Sequence, residues 1–141
     1  MTRSLRRAFD DGGDKGARED MALVSLCGGL ALANAGLGAV HGFAAAIGGM
    51  FDAPHGAVCA ALLPEVMEAN RKASKRYDEI VSSAWVRELR DHLQIPKLRG
   101  YGITENDIPA ICEKAAAASS MKANPVVLSC KELEDILRQA I

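Results

Sequence analysis

The sequence predicts an all-α protein, and three observations carry that expectation. No segment alternates apolar and polar residues as a half-buried strand does. Between residues 77 and 93, apolar side chains recur at three- and four-residue intervals, the period of an amphipathic helix. Capping pairs and Gly or Pro breaks divide the remainder into helix-length pieces. A chain of 141 residues falls within the range of one domain and can bury a core; it is read as a single helical domain, 1–141.

The elements follow in order. Ser4 to Phe9 is helix-compatible and gives way to Asp10-Asp11-Gly12-Gly13-Asp14, a turn by composition. A helix from about Ala17 to Ala35 carries Arg18, Glu19 and Asp20 on its first turn. Gly36-Leu37-Gly38 interrupts it, and a second helix covers Ala39 to Ile47. Gly48-Gly49 reverses the chain, and Asp52-Ala53-Pro54-His55-Gly56 leads into a third helix reaching about Asn70. Pro64 has no N–H to donate and should kink that helix or break it. Tyr77, Ile80, Val81, Ala84, Trp85, Leu89 and Leu93 mark the amphipathic helix, which Pro96 closes. Thr104 and Asp107 read as the N-cap and third position of a helix running to about Ala118. Asn124-Pro125 is a turn, and Ser129 with Glu132 forms a capping-box pattern ahead of Leu133, Ile136, Leu137 and Ala140.

Charge and cysteine usage remove several function classes. A net charge of −1 without a basic stripe gives no reason to expect nucleic acid or an anionic membrane as partner. Cys27, Cys59, Cys112 and Cys130 form no CxxC pair, which reads as reduced thiols in a cytoplasmic protein. From Met21 to Phe51 there is no Asp, Glu, Lys or Arg, a run long enough to raise the question of a membrane span. Its glycines, at 28, 29, 36, 38, 42, 48 and 49, suit two helices buried and closely packed inside a protein better than a lipid-facing helix rich in Leu, Ile, Val and Phe. Those glycines match neither GxGxxG nor a phosphate-binding loop ending in Gly-Lys, so they read as packing and turn residues.

Three histidines could carry chemistry. His92 sits among Arg90, Asp91 and Gln94 and receives no role. His41 lies midway through the charge-free run, where an imidazole must find a hydrogen-bond partner or a metal. His55 follows Pro54 at the start of the third helix, and a reversal at Gly48-Gly49 can bring the two rings to one point. Two imidazoles from adjacent helices are half of a transition-metal site. A buried histidine satisfied by a backbone carbonyl is the competing reading. Within the chain, Asp52 would complete a two-His-one-carboxylate set, and Cys59, one turn after His55, a sulfur-containing zinc set.

The segment Gly29-Leu-Ala-Leu-Ala-Asn-Ala-Gly-Leu-Gly-Ala-Val-His41-Gly, continued by Gly48-Gly49-Met-Phe-Asp-Ala-Pro54-His55-Gly56 and Leu62-Leu63-Pro64, resembles the iron-containing (group III) alcohol dehydrogenase family. Ser119-Ser-Met-Lys-Ala-Asn-Pro125, then Glu132-Leu133 and Ile136-Leu137, resembles the end of such enzymes, so the likeness extends over nearly the whole chain. It implies a helical bundle corresponding to most of the C-terminal domain of a dehydroquinate-synthase-like, iron-dependent alcohol dehydrogenase. It also implies a metal-dependent oxidoreductase that moves hydride between a small alcohol or aldehyde and NAD(P), with Fe(II), sometimes Zn(II), as Lewis acid.

The positions matching family metal ligands are His41 and His55. The resemblance places an Asp and a His ligand, one turn apart, and the glycine-rich pyrophosphate loop upstream of residue 1. Ala45 stands where many members have a second histidine, and Asp52 matches a position that is not a ligand. The expectation is thus a fragment shortened at its N-terminus that binds metal weakly, does not bind NAD(P), and is inactive alone; no catalytic residue is assigned. The alternative is a catalytically silent helical domain that self-associates or pairs with another chain, since apolar surface left uncovered would favour a homo-oligomer.

Overall fold

Helices supply all the regular structure among the described residues of the computed structural model, which are 1–72, 79 and 81–141. No strand occurs among them. The residues cluster into two units, Met1–Gly36 and Leu37–Ile141, taken here in turn.

The first unit holds α1 (Leu5–Asp10) and α2 (Lys15–Ala35). Asp14 ties the two together. Its carboxylate accepts from the Ala17 backbone N–H at 3.0 Å, capping α2, and from the Arg7 guanidinium at 2.6 Å. These two contacts hold the Asp14 carboxyl below the usual carboxylate range. Ser4, buried, donates its hydroxyl proton to Asp20. Gly36 ends α2 with φ at 74°, a conformation that glycine adopts without the Cβ clash other residues would meet.

The sequence places the whole charge-free run inside a core, and the structure corrects this for its first half. Ala17 is the one buried residue of α2, while Leu23, Leu26 and Leu30 are 61%, 62% and 58% exposed. The reason is length: within this unit a helix of 6 residues cannot cover one of 21.

The second unit contains α3 (Ala39–Gly48), α4 (His55–Asn70), α5 (Ser83–His92), α6 (Ile108–Ala117) and α7 (Cys130–Ala140). Short 3₁₀ turns at Leu98–Tyr101, Glu105–Asp107 and Ser119–Ala123 connect them. α3 packs on α4 and α6, and α4 packs also on α5 and α7. Phe43 and Ile47 of α3, Val58 and Leu62 of α4, Ile111 of α6 and Leu137 of α7 are fully buried. Each such side chain contributes roughly 1.5–3 kcal/mol on leaving water.

Several local signals hold and one shifts. Ser129 and Glu132 form a reciprocal capping box at the start of α7. Thr104 and Asp107 do the same, but around a 3₁₀ turn, with α6 starting one residue later. Pro64 does not end α4, which runs through it. The helix α5 of the amphipathic stretch opens at Ser83, where the Ser82 hydroxyl accepts from Trp85 N–H at 3.2 Å and caps it. Val81 falls outside that helix, and Tyr77 and Ile80 of the same pattern lie outside the described residues. Glu65, with its side chain 4% exposed, fastens α4 to α5 through a two-pronged ion pair with Arg87 at 2.6 and 3.1 Å. That bond pushes the Arg87 guanidinium further toward its charged form.

No single helix among the described residues is long and apolar enough to cross a membrane.

Candidate metal centre

α3 must present His41 on its first turn, so the position of its N-terminus decides where the ring points. Gly38 is the N-cap and has no side chain to bond the free N–H groups. Asn124, 85 residues on, supplies the missing acceptor: its Oδ1 takes the Ala39 N–H at 3.1 Å. Asn124 is itself held by Asn70 at the end of α4. The two amides exchange hydrogen bonds at 2.9 and 3.1 Å, and Asn124 Nδ2 also donates to the Val126 carbonyl at 2.8 Å. A Cβ on Gly38 would sit 2.9 Å from Asn124 Oδ1, and one on Gly42 would run into Met121. Both glycines therefore let the segment around Ser119–Asn124 lie close against α3.

His55 opens α4 directly after Pro54, whose carbonyl accepts from Ala57 and Val58 N–H at 3.0 Å. Between the helices the chain turns through Met50 and Phe51, whose N–H groups return to the Ile47 carbonyl at 2.9 and 2.8 Å. Burial of Phe43, Ile47, Val58 and Leu62 then fixes α3 against α4.

The result brings the two imidazoles together, with ring centroids 5.5 Å apart and planes inclined by 49°. Two imidazoles bound tetrahedrally to one ion at ~2.0–2.1 Å would have centroids about 5 Å apart. Burial, and secondly the charge of His55, lowers the His41 pKa below its ordinary value. The neutral ring, with a nitrogen lone pair to donate, is thus favoured near neutrality.

Cys59, one turn after His55, joins them. Its Sγ lies 3.5 Å from His55 Nε2, and one donor atom from each of His41, His55 and Cys59 lies within 4.8 Å of the other two. This is the one such group among the described residues, so Asp52 does not enter it. Burial raises the Cys59 thiol pKa. Imidazoles with a nearby sulfur suit divalent zinc, cobalt or iron better than calcium or magnesium. Ala45, one turn after His41 on α3, is exposed and presents no donor. A groove of about 640 Å³ lies elsewhere, lined by Glu68, Arg71, Lys72, Glu132 and Asp135 among others, and none of the three clustered residues borders it.

Sequence reasoning misses Asn70 and Asn124. The Asn124-Pro125 dipeptide signals a turn, and nothing local shows that its amide caps a helix 85 residues away.

Among the described residues, then, a helical unit without strands brings two histidines together across adjacent helices. The chain belongs to the Fe-containing alcohol dehydrogenase family, whose C-terminal model matches residues 1–141. It is 36% identical to the 1,3-propanediol dehydrogenase of Citrobacter freundii over 160 residues, covering 99% of this chain and 41% of that protein. Alcohol dehydrogenase 4 of Saccharomyces cerevisiae is 33% identical, again with 99% of this chain and 41% of the relative covered. Among solved structures, a 1,3-propanediol oxidoreductase superposes with a TM-score of 0.92 at 34% identity, over 99% of this chain and 42% of that one. The alcohol dehydrogenase from Oenococcus oeni gives 0.89 at 28% identity, covering 99% and 42%. The chain thus spans about two fifths of the length of the relatives it matches.

Proposed function

We propose that this chain carries the metal-holding part of an alcohol oxidoreductase centre, serving hydride transfer between a small alcohol or aldehyde and NAD(P). The observation that carries the reading is the meeting of His41 and His55, with centroids 5.5 Å apart, in a chain whose relatives are alcohol dehydrogenases. His41 and His55 would hold the ion, Fe(II) or Zn(II). When bound, a divalent metal supplies Lewis acidity, lowering the pKa of a hydroxyl group beside it. The chain's own residues do the positioning. Asn124 fixes the start of α3, partial burial disfavours the charged form of His41, and the small Ala45 leaves the neighbouring surface open to substrate.

The described residues contain no strand, and so no strand–glycine-loop–helix unit that fits a dinucleotide. No step through the nicotinamide is therefore assigned to them. The 141 residues by themselves are expected to bind metal weakly, to leave NAD(P) unbound and to show no turnover. A cytoplasmic setting accords with four free cysteines.

The test is metal content and melting temperature of the chain and of His41→Ala and His55→Ala, with Zn(II) or Fe(II) added. Metal should raise the melting temperature of the parent chain, by the mass-action stabilisation of the folded state, and leave both variants unmoved. An equal response in all three removes the ligand assignment.

One observation favours a second reading, that the chain pairs with another copy of itself. Leu23, Leu26 and Leu30 recur along one face of α2 and are all more than half exposed, and such a face seeks cover. Sedimentation velocity should give concentration-dependent association that Leu26→Lys with Leu30→Lys abolishes; association unchanged in that variant rejects it.

A further inference from the structure

We propose that Cys59 is a third protein ligand of this centre, making it a two-imidazole, one-thiolate set that prefers zinc and cobalt over iron(II). The inference rests on the paired-histidine reading above and adds to it both a residue and a metal preference.

Geometry carries it. In a tetrahedral site with metal–nitrogen bonds of about 2.0–2.1 Å and a metal–sulfur bond of about 2.3 Å, the nitrogen–sulfur edge is about 3.6 Å. Cys59 Sγ lies 3.5 Å from His55 Nε2, so that edge is already formed. The widest separation among the three donors is at most 4.8 Å, about an ångström more than a tetrahedral edge. His55 is exposed at the first residue of α4 and His41 is half-buried, so small rotations of the two rings can close the gap without moving the core. Cys59 is anchored more firmly, because Val58 beside it and Leu62 beyond it are fully buried.

The chemistry follows from the donor set. Binding displaces the Sγ proton to solvent and leaves a thiolate, while both imidazoles bind neutral. Thiolate ligation favours zinc over harder ions, and cobalt(II) accepts the same geometry and reports it by colour. Of the other cysteines, Cys27 and Cys130 are exposed and Cys112 is buried, and none of them belongs to the cluster.

The experiment is an anaerobic cobalt(II) titration of the full 141-residue chain with its thiols reduced. The expected result is one cobalt per chain, tetrahedral visible bands, and a near-ultraviolet sulfur-to-cobalt charge-transfer band that persists when Cys27 and Cys130 are both changed to Ser. Cys59→Ala should abolish the charge-transfer band and weaken binding by about tenfold or more, since loss of even an outer-shell partner costs 10–100-fold. Cys59→Ser keeps the side-chain size and should lose the band likewise, so a folding defect in the alanine variant does not blunt the test. If cobalt binds through His41 and His55 with no such band and with equal affinity in the Cys59 variants, the thiolate is overturned and the paired imidazoles stand. If the band survives Cys59→Ser, the sulfur is another cysteine and the proposal fails. If cobalt does not bind at all, both readings fall.

Discussion

At the scale of single residues, the centre depends on a side chain that never touches the proposed ion. Asn124 accepts the Ala39 N–H at the start of α3 and exchanges two hydrogen bonds with Asn70 at the end of α4. It thereby joins the helix carrying His41 to the helix carrying His55. Asn124→Ala would strand a helix N–H and the buried Asn70 amide together. Loss of a buried partner costs about 1–3 kcal/mol, and loss of a cap about 1 kcal/mol. We expect a destabilisation of about 2–3 kcal/mol in urea unfolding, together with weaker metal stabilisation of whatever folds. A change near zero would mean that water replaces the amide without loss and that Asn124 positions nothing.

At the scale of elements, start signals are written locally and read well. Ser129 with Glu132 and Thr104 with Asp107 both form the reciprocal boxes their spacing indicates. The Glu132 carboxylate does more than cap, since Lys72 bonds it at 2.8 Å from the end of α4. Lys72 first, and then the Ser129 backbone and hydroxyl, depress the Glu132 pKa to about 2. The folded state therefore binds this proton less readily than the unfolded chain. The stabilisation is present above the unfolded value of about 4.3 and is lost as pH falls from there toward 2. Lys72 is largely exposed and Glu132 partly so, and solvent screening keeps the effect small. Glu132→Gln should flatten the slope of stability against pH in that window, measured by urea midpoints between pH 5 and 2. An unchanged slope would show that the contact with Lys72 carries no charge-dependent stability.

At the scale of the whole molecule, much of the fold and half of the centre are legible in sequence, for reasons that differ. Gly48-Gly49 and Pro54 signal a reversal, and that reversal alone allows His41 and His55 to meet. The joining of Asn70 to Asn124 and of Glu65 to Arg87 is not legible, because these contacts span 54 and 22 residues and depend on how helices pack. The exposure of α2 is not legible either. Its leucines look like core residues, and sequence does not say whether a partner surface lies within the same unit. Asp52 and Cys59 were equal on spacing as completions of the site, and the turn of α4 separates them by bringing only the sulfur beside His55.

The account stands or falls on two imidazoles sharing one cation. Anomalous diffraction at the zinc edge from a zinc-loaded crystal of the chain tests this directly. The account predicts one dominant peak about 2.0–2.1 Å from a ring nitrogen of His41 and of His55. A dominant peak elsewhere, such as against Glu132 and Asp135, or none beside either ring, would contradict it.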